Sequence, residues 1–361
     1  MVISFNLLSL PDEKLYGVGN FLKSLILNYS CPDVDIVIYC SSKIDPISLY
    51  GFGKFKSIKI IKLPITNHVI RILYEQLILP FMILKTNILY SPNNINPILL
   101  FKNIRSIVTI HDTLPFDNNS RYGFLQRLYL KVFTFISISI SSSVVTVSQH
   151  SKMKILSHFH IKNDKIKVVY NSVLLNSNNK YNKYNKYNKY FLYIGGLNED
   201  KRIDLIIISF FEFLKLGHDS FLIIAGSDQG SLSSLKQLVS TLNLDKRVVF
   251  TGFIDDATKL SLLKGCICLI LFGRSEGFGI PVLESIYLNR PVIVSSSGAL
   301  PEVVGDAGFV VDPYDTRQVI DAMSALILRN CIFNPNAFDK QKLIFDRSLQ
   351  QQKFWSLLLD S

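Results

Sequence analysis

FGRSEGFGIPVLESIYLNRPVIVSSSGALPEVVGDAGFVVDPYD, residues 272–315, carries more chemistry per residue than any other part of the chain. Glu276 and Glu284 bracket Gly277, Phe278, Gly279, Ile280 and Pro281, and Val282, Leu283, Ile286 and Tyr287 then recur at helical spacing. The pattern is a loop feeding a helix. Pro281 suits the first helical position, where its missing N–H would have lacked a partner anyway, and the spacing puts Glu284 in the first turn, where the helix dipole favours a carboxylate. Gly277 and Gly279 carry no side chain, so a ligand can approach the backbone, and the unpaired N–H groups of the first turn point at it. An anion is the natural occupant. Pro291 ends the helix, Val292 to Val294 form a short buried strand, and Ser295 to Gly298 form a polar turn before a second helix start at Pro301 and Glu302.

Working back from this stretch, strands alternate with helices. Phe191–Ile194, Phe221–Ala225, Val248–Phe250 and Ile267–Phe272 are short apolar runs with helical patterns between them, Ile203–Leu216 and Ser231–Leu242 among these. They end in Gly195-Gly196-Leu197-Asn198-Glu199-Asp200-Lys201-Arg202, in Gly226-Ser227-Asp228 and in Thr251-Gly252-Phe253. In open α/β sheets the ligand lies outside the carboxyl ends of the strands. Lys201 and Arg202 are the basic residues on those loops, and they face the same edge as Gly277 to Gly279.

The first half has the same rhythm. Val2–Leu8 is a strand, and Tyr16-Gly17-Val18-Gly19-Asn20 reads as a glycine loop, able to bring amides to a phosphate, ahead of the helical pattern Phe21, Leu22, Leu25, Ile26. Asp35–Tyr39, Ile58–Leu63, Ile88–Tyr90, Ile104–Ile110, Ser143–Val147 and Lys165–Val169 are further strands. Val69–Lys85 reads as an amphipathic helix broken or kinked at Pro80, Arg121–Phe135 as a helix, and Ser148 as the cap of another. His111 and Asp112 stand at the carboxyl end of the strand Ile104–Ile110, where a reacting group would be placed.

At 361 residues the chain is long enough for two domains with separate cores. A mean hydropathy of +0.27 raises the question of a membrane span. The longest candidate, Val132–Ser148, is too short and is interrupted by serines, so it reads as a helix end followed by a buried strand. The opening MVISFNLLSL lacks a basic leader and a small-residue cleavage site, and reads as a strand rather than a signal peptide. Five cysteines in apolar surroundings suit reduced thiols and a cytoplasmic protein, and Cys266 and Cys268 have the wrong spacing for zinc. A formal charge of +11 suits phosphate-bearing ligands or an anionic membrane face, while no helix-turn-helix, zinc or aromatic RNA-binding pattern supports nucleic acid as a partner. Asn176–Tyr190, with its Asn-Lys-Tyr repeat, has no apolar periodicity and reads as a linker. Phe338, Leu343, Ile344, Leu349, Phe354, Trp355 and Leu358 close the chain in helical spacing.

Taken together, these blocks resemble retaining glycosyltransferases of family 4, with the GT-B fold. EGFGIPVLE, Glu276 to Glu284, matches the glutamate, seven residues, glutamate motif, and RPVIVSSSGALPEVVGDAGFVVDP continues the match. YSPNN, VTIHDTLPF, VTVSQHSKMKI and YIGGLNEDKRID look like the other blocks of the family, in the expected order. The resemblance implies two Rossmann-like α/β domains facing across a cleft, with a C-terminal helix crossing back to the first. The boundaries expected are 1–173 for the acceptor domain, 174–190 for the linker, 191–340 for the donor domain and 341–361 for the crossover helix.

The resemblance also implies roles. Lys201 matches the lysine that contacts the donor diphosphate, Glu276 the glutamate near the donor sugar, and Glu284 the glutamate that binds the ribose. Gly277 to Gly279 match the backbone facing sugar and phosphate, and His111 the histidine that holds the sugar. The catalytic candidates are thus His111, Lys201 and Glu276. The donor set is Gly17, Gly19, Gly195, Gly196, Lys201, Arg202, Gly226, Phe253, Glu276, Gly277, Phe278, Gly279, Ile280 and Glu284; His111 and Asp112 form the acceptor set. The family often has arginine where this chain has Gly196, and Tyr170-Asn171-Ser172-Val173 replaces its Pro-Asn-Gly-Val block.

The expected activity is metal-independent transfer of a sugar from a nucleoside diphosphate sugar, as co-substrate, to a hydroxyl of a lipid-linked glycan, with no cofactor. Such an enzyme would work in surface polysaccharide or lipopolysaccharide assembly, in the cytoplasm and peripherally on the inner face of the membrane. A sugar-nucleotide epimerase on the same fold, which needs no acceptor, and a donor-binding scaffold without turnover are the competing readings.

Overall fold

The computed structural model describes residues 1–10, 17–29, 34–101, 103–116, 123–174, 187, 189–328 and 335–359. The chain divides into two compact units, Met1–Ser172 with Asp346–Ser361, and Val173–Phe345. The Asn-Lys-Tyr repeat lies almost wholly outside the described residues, but Tyr190, assigned above to the linker, is buried in a strand and donates its hydroxyl hydrogen to Leu262 O at 2.8 Å.

Unit one contains β1 (Val2–Asn6), β2 (Asp35–Ser41), β3 (Ser57–Leu63), β4 (Ile88–Ser91), β5 (Arg105–Ile110), β6 (Ser143–Thr146) and β7 (Ile166–Val168) in the order β3-β2-β1-β4-β5-β6-β7. Unit two contains β8 (Tyr190–Ile194), β9 (Phe221–Ala225), β10 (Val248–Gly252), β11 (Cys268–Leu271), β12 (Val292–Ser295) and β13 (Gly308–Val311) in the order β10-β9-β8-β11-β12-β13. Every paired strand is parallel. Parallel sheets need cover on both faces, so their strands read as unbroken apolar runs, and β8 is buried at all five positions. In each unit the strand order reverses once, between β1 and β4 and between β8 and β11. Loops leaving the two central strands diverge to opposite faces there and open a crevice at the carboxyl edge.

Several expected boundaries move. Gly17 and Gly19 are not in a loop but in the first turn of the helix Gly17–Ile26. The region expected to be one helix around Pro80 is three pieces, His68–Leu73, a wide π turn Tyr74–Ile78, and Leu79–Met82 with Pro80 in its first turn. Proline lacks the N–H that a continuous ladder requires, so the helix restarts there. The helix expected at Arg121–Phe135 runs Phe124–Ile140. Ser148 caps its helix by accepting from Ser151 N, as the spacing implied. Cys40, Cys266 and Cys268 are buried, while Cys31 and Cys331 lie outside the described residues. No helix among the described residues is long and apolar enough to cross a membrane.

The C-terminal periodicity resolves into two helices, Pro335–Ile344 in unit two and Arg347–Leu359 in unit one. The second packs on the helix Gly17–Ile26. Gln351 Nε2 donates to Ser24 O and Leu27 O, both at 2.9 Å, satisfying carbonyls that a helix end leaves without partners. Trp355, fully buried, donates from Nε1 to Leu25 O at 3.1 Å and stacks on Tyr29 at 4.8 Å. Replacing Trp355 by Ala removes both contacts and leaves a cavity, so we expect a loss of about 3–5 kcal/mol in urea unfolding. Trp355→Phe keeps most of the volume and should lose much less.

Candidate active site

In unit two the loops after β8 and β11 meet where the strand order reverses. The Arg274 N–H donates to Asp200 O at 2.8 Å, which ties the two loops together through their backbones. Lys201, at the end of a short 3-10 turn, then donates from Nζ to Glu276 Oε1. Glu276 is held from behind: its carbonyl accepts from Ala299 N at 2.9 Å, and Gly298, at φ +67°, passes so close that a Cβ there would lie 2.6 Å from Glu276 O. Only glycine tolerates both the conformation and the approach. Tyr193 donates its hydroxyl hydrogen to Gly196 O at 3.0 Å; burial, and then the Glu276 charge, hold that phenol un-ionised.

Gly279 ends the loop at φ +93° and opens the helix Ile280–Tyr287, with Ile280 its first residue and Pro281 in its first turn. Gly277 is half-buried in the loop ahead of it. The Phe278 side chain turns away, buried against Phe345 at 5.4 Å, so this residue offers only backbone to the site. Glu284 falls beyond the first turn, contrary to expectation, and its charge is met by a side chain. Lys259, from the helix Asp256–Gly265, donates to Glu284 Oε1 at 2.7 Å and pairs with Asp256 at 3.2 Å. Burial pushes the Glu284 carboxyl up, with Lys259 opposing; for Lys259, burial pulls the ammonium down but Glu284 and Asp256 outweigh it. Glu284 Oε2 is buried with no hydrogen-bond partner among the described residues. A buried acceptor of this kind fits a hydroxyl-bearing ligand.

Other predicted residues serve the loop rather than face a ligand. A Cβ on Gly226, at φ +155°, would overlap Gly195 O at 1.7 Å, so these two glycines let the ends of β8 and β9 touch. Gly196 faces Gln229, whose side chain lies 2.3 Å from where a Cβ would be and accepts from Asn198 Nδ2 at 2.6 Å. The space an arginine would need is thus filled. Arg202 has a left-handed backbone at φ +49°, and its guanidinium lies 4.9 Å from the Tyr314 ring centre. Phe253 stands exposed beyond β10, the outer strand. Lys259 and Gln229 escaped the sequence reading because no local spacing links them to residues 25 and 33 positions away.

In unit one His111 follows β5. Its N–H donates to Asn94 Oδ1 at 3.0 Å, and its Nε2 lies 2.8 Å from Pro92 O. A carbonyl can only accept, so Nε2 carries the hydrogen and Nδ1 is left as an acceptor. Phe21 meets the ring edge-on at 5.2 Å, which places the start of the Gly17–Ile26 helix beside His111. Gly17 and Gly19 thus share unit one with His111 and Asp112, while every other donor candidate lies in unit two. Burial lowers the His111 pKa to about 4, against a weaker raising by Pro92 O. An unfolded histidine takes up its proton near pH 6.5, so between there and about 4 the unfolded chain binds more protons. The neutral ring's contribution is complete above pH 6.5 and is lost as pH falls towards 4. Between pH 7 and 4.5 the protein should lose about 2–3 kcal/mol more in denaturant unfolding than its His111→Gln variant.

Two parallel α/β sheets, each with one reversal of strand order, and a C-terminal helix belonging to the first unit make this the fold of GT-B glycosyltransferases. The family model Glycosyl transferases group 1 matches residues 176–340, and Glycosyltransferase Family 4 matches residues 58–176. The chain belongs to this glycosyltransferase family. It is 30% identical over 211 residues to the O-antigen chain mannosyltransferase RfbU of Salmonella typhimurium, across 58% of this chain and 57% of that one. It is 28% identical over 239 residues to the O-antigen chain mannosyltransferase B of Escherichia coli, across 63% and 61%. The chain thus spans little more than half the length of these relatives. Among solved structures, Anabaena Alr3699/HepE in complex with UDP-glucose superposes with a TM-score of 0.74 at 17% identity, covering 100% of both chains. The apo lipopolysaccharide outer core galactosyltransferase WaaB superposes with a TM-score of 0.71 at 16% identity, covering 100% and 99%.

Proposed function

We propose that the chain transfers a sugar, with retention at the anomeric carbon, from a nucleoside diphosphate sugar to a hydroxyl of a lipid-linked glycan in surface polysaccharide assembly. It needs neither metal nor cofactor and works in the cytoplasm at the inner membrane face. The observation that carries this reading is the Lys201–Glu276 pair at the carboxyl edge of β8 and β11, beside the glycine loop that starts the helix Ile280–Tyr287. The relatives named above as O-antigen mannosyltransferases support the polysaccharide context, and the neighbour with bound UDP-glucose supports the donor class.

The barrier is departure of the nucleoside diphosphate. Positive charge placed where its negative charge grows stabilises the transition state more than the ground state. Lys201 shares its protons between Glu276 and the leaving phosphate, while Glu276 turns its other oxygen to sugar hydroxyls. Glu284 Oε2 accepts from the ribose, and Lys259 keeps that carboxylate ionised and oriented. His111 Nδ1 accepts a hydrogen bond from a sugar hydroxyl. The acceptor attacks on the face the diphosphate leaves, and the departing phosphate takes the acceptor proton.

The test is a panel of donors, mannosyl and glucosyl among them, with and without membrane lipid extract. We expect nucleoside diphosphate release that requires acceptor, and a product whose anomeric proton coupling matches the donor. An altered donor sugar without acceptor would instead identify an epimerase, and binding without release a scaffold.

A further inference from the structure

Two helical segments of unit one bury polar side chains and turn large apolar ones outward. In the helix Phe124–Ile140 the side chains buried against the protein are Thr134, Ser137 and Ile138, two of them hydroxylic. Its outer face carries Phe124, 81% exposed, Leu125, 79% exposed, and then Leu128, Val132 and Phe135. In the segment His68–Leu84 the polar Glu75 and Gln76 are buried alongside Leu79 and Ile83, while Val69, Leu73, Leu77 and Phe81 line its outer side. A helix that meets water does the reverse.

The two stripes form one face. Asn96 N and Nδ2 donate to Ser137 Oγ and Ser141 Oγ, both at 2.8 Å, and Ile98 N donates to Gln76 Oε1 at 2.9 Å, so the loop 95–101 is bonded to both segments. That loop adds exposed Leu99 and Phe101, the latter edge-on to Phe81 at 6.2 Å. Tyr129 lies close enough to Arg71 and Glu75 for both charges to act on its phenol, so the two segments also meet directly. Apolar patches of this extent mark an interaction surface.

Charge selects the occupant. Across residues 68–84 and 124–140 the only carboxylate is Glu75, fully buried and paired with Arg71 at 3.2 Å, whereas Arg71, Arg127 and Lys131 are cationic. A second copy would set cation against cation with no exposed acid to answer it. An anionic lipid surface supplies both things the face lacks, an apolar phase for Phe124, Leu128 and Phe81, and negative charge for Lys131 and Arg127.

We propose that this face, formed by residues 68–84, 95–101 and 124–140, docks on an anionic membrane with its apolar side chains in the interface. The proposal specifies the surface for the membrane-side reading above, and its test does not depend on catalysis. The full chain should co-sediment with vesicles of phosphatidylglycerol and phosphatidylethanolamine at least about tenfold more strongly than with phosphatidylcholine alone. Leu128→Glu with Phe135→Glu should weaken this by at least about tenfold, and so should Leu73→Glu with Leu77→Glu on the other segment, each with an unchanged melting temperature. Lys131→Gln should cost up to about fivefold. No sedimentation, equal binding to neutral vesicles, or a dimer in sedimentation velocity that Leu128→Glu dissociates would overturn the proposal. If the transferase reading alone fails, vesicle binding persists without nucleoside diphosphate release under any donor. If the docking face alone fails, the double variants still transfer to a soluble acceptor and still bind vesicles.

Discussion

Lys201→Ala lowers the turnover number for transfer by at least about 100-fold, or roughly 3 kcal/mol of transition-state stabilisation, with a much smaller change in donor KM. The expectation follows from geometry. Lys201 Nζ reaches Glu276 Oε1 from a loop whose position does not depend on its side chain, because the Arg274 N–H to Asp200 O bond holds the two loops by backbone alone. Removing the ammonium therefore removes charge without moving the site. Lys201→Arg keeps the charge but replaces a compact ammonium by a wide planar fork, and should recover only part of the rate. Glu276→Gln separates the two partners: if Glu276 serves sugar hydroxyls, its loss lowers kcat although Lys201 is freed. Undiminished turnover in Lys201→Ala, measured as acceptor-dependent nucleoside diphosphate release, would remove Lys201 from the mechanism.

Lys259→Ala produces the second large effect, on stability as well as donor binding. It strands the Glu284 carboxylate, which is buried and has no other counter-charge as close as the 2.7 Å of Lys259. Breaking a buried pair from one side costs about 3–5 kcal/mol. Burial already raises the Glu284 pKa, and loss of Lys259 raises it further, so the variant's deficit should be largest at pH 7–8 and shrink as Glu284 takes up a proton on acidification. Glu284→Gln combined with Lys259→Met leaves no charge to strand and should regain most of the stability. Donor affinity behaves differently. It falls about 10- to 100-fold in Glu284→Gln and stays low in the double variant, because a charge-assisted hydrogen bond to the ribose is worth about 1.5–3 kcal/mol. Calorimetric donor titration beside urea unfolding separates the two. Tight donor binding in Glu284→Gln would remove Glu284 from the ribose.

Most strands were legible because parallel strands covered on both faces are continuous apolar runs, as β5 and β9 are. The Ser148 cap and the Pro281 helix start were legible because each depends on residues within one turn. The loops holding Lys201 and Glu276 could be named in advance, but not the bond between them, since β8 and β11 are adjacent only through the strand order. The direction of the Phe278 side chain, buried against Phe345, was not legible for a related reason: a motif shows that a residue is present, not which way it points. The helices with outward apolar stripes are the sharpest case. Spacing reveals an apolar stripe on residues 68–84 and 124–140, but packing puts Glu75, Gln76 and Ser137 inward and leaves that stripe outside.

From the amino-acid order alone come the two α/β halves, the family, the glycine-rich helix start between Glu276 and Glu284, and the strand-end positions of His111 and Lys201. Each depends on interactions within a few residues, the periods of helix and strand, caps and turn-forming glycines, which the order of residues dictates directly. Tertiary structure alone decided that Lys259 neutralises Glu284, that Gln229 fills the space beside Gly196, that Pro92 O sets the His111 tautomer, and which helix faces remain open. Those contacts join residues apart along the chain, and only the packing of loops and helices around the sheet within each unit brings them together.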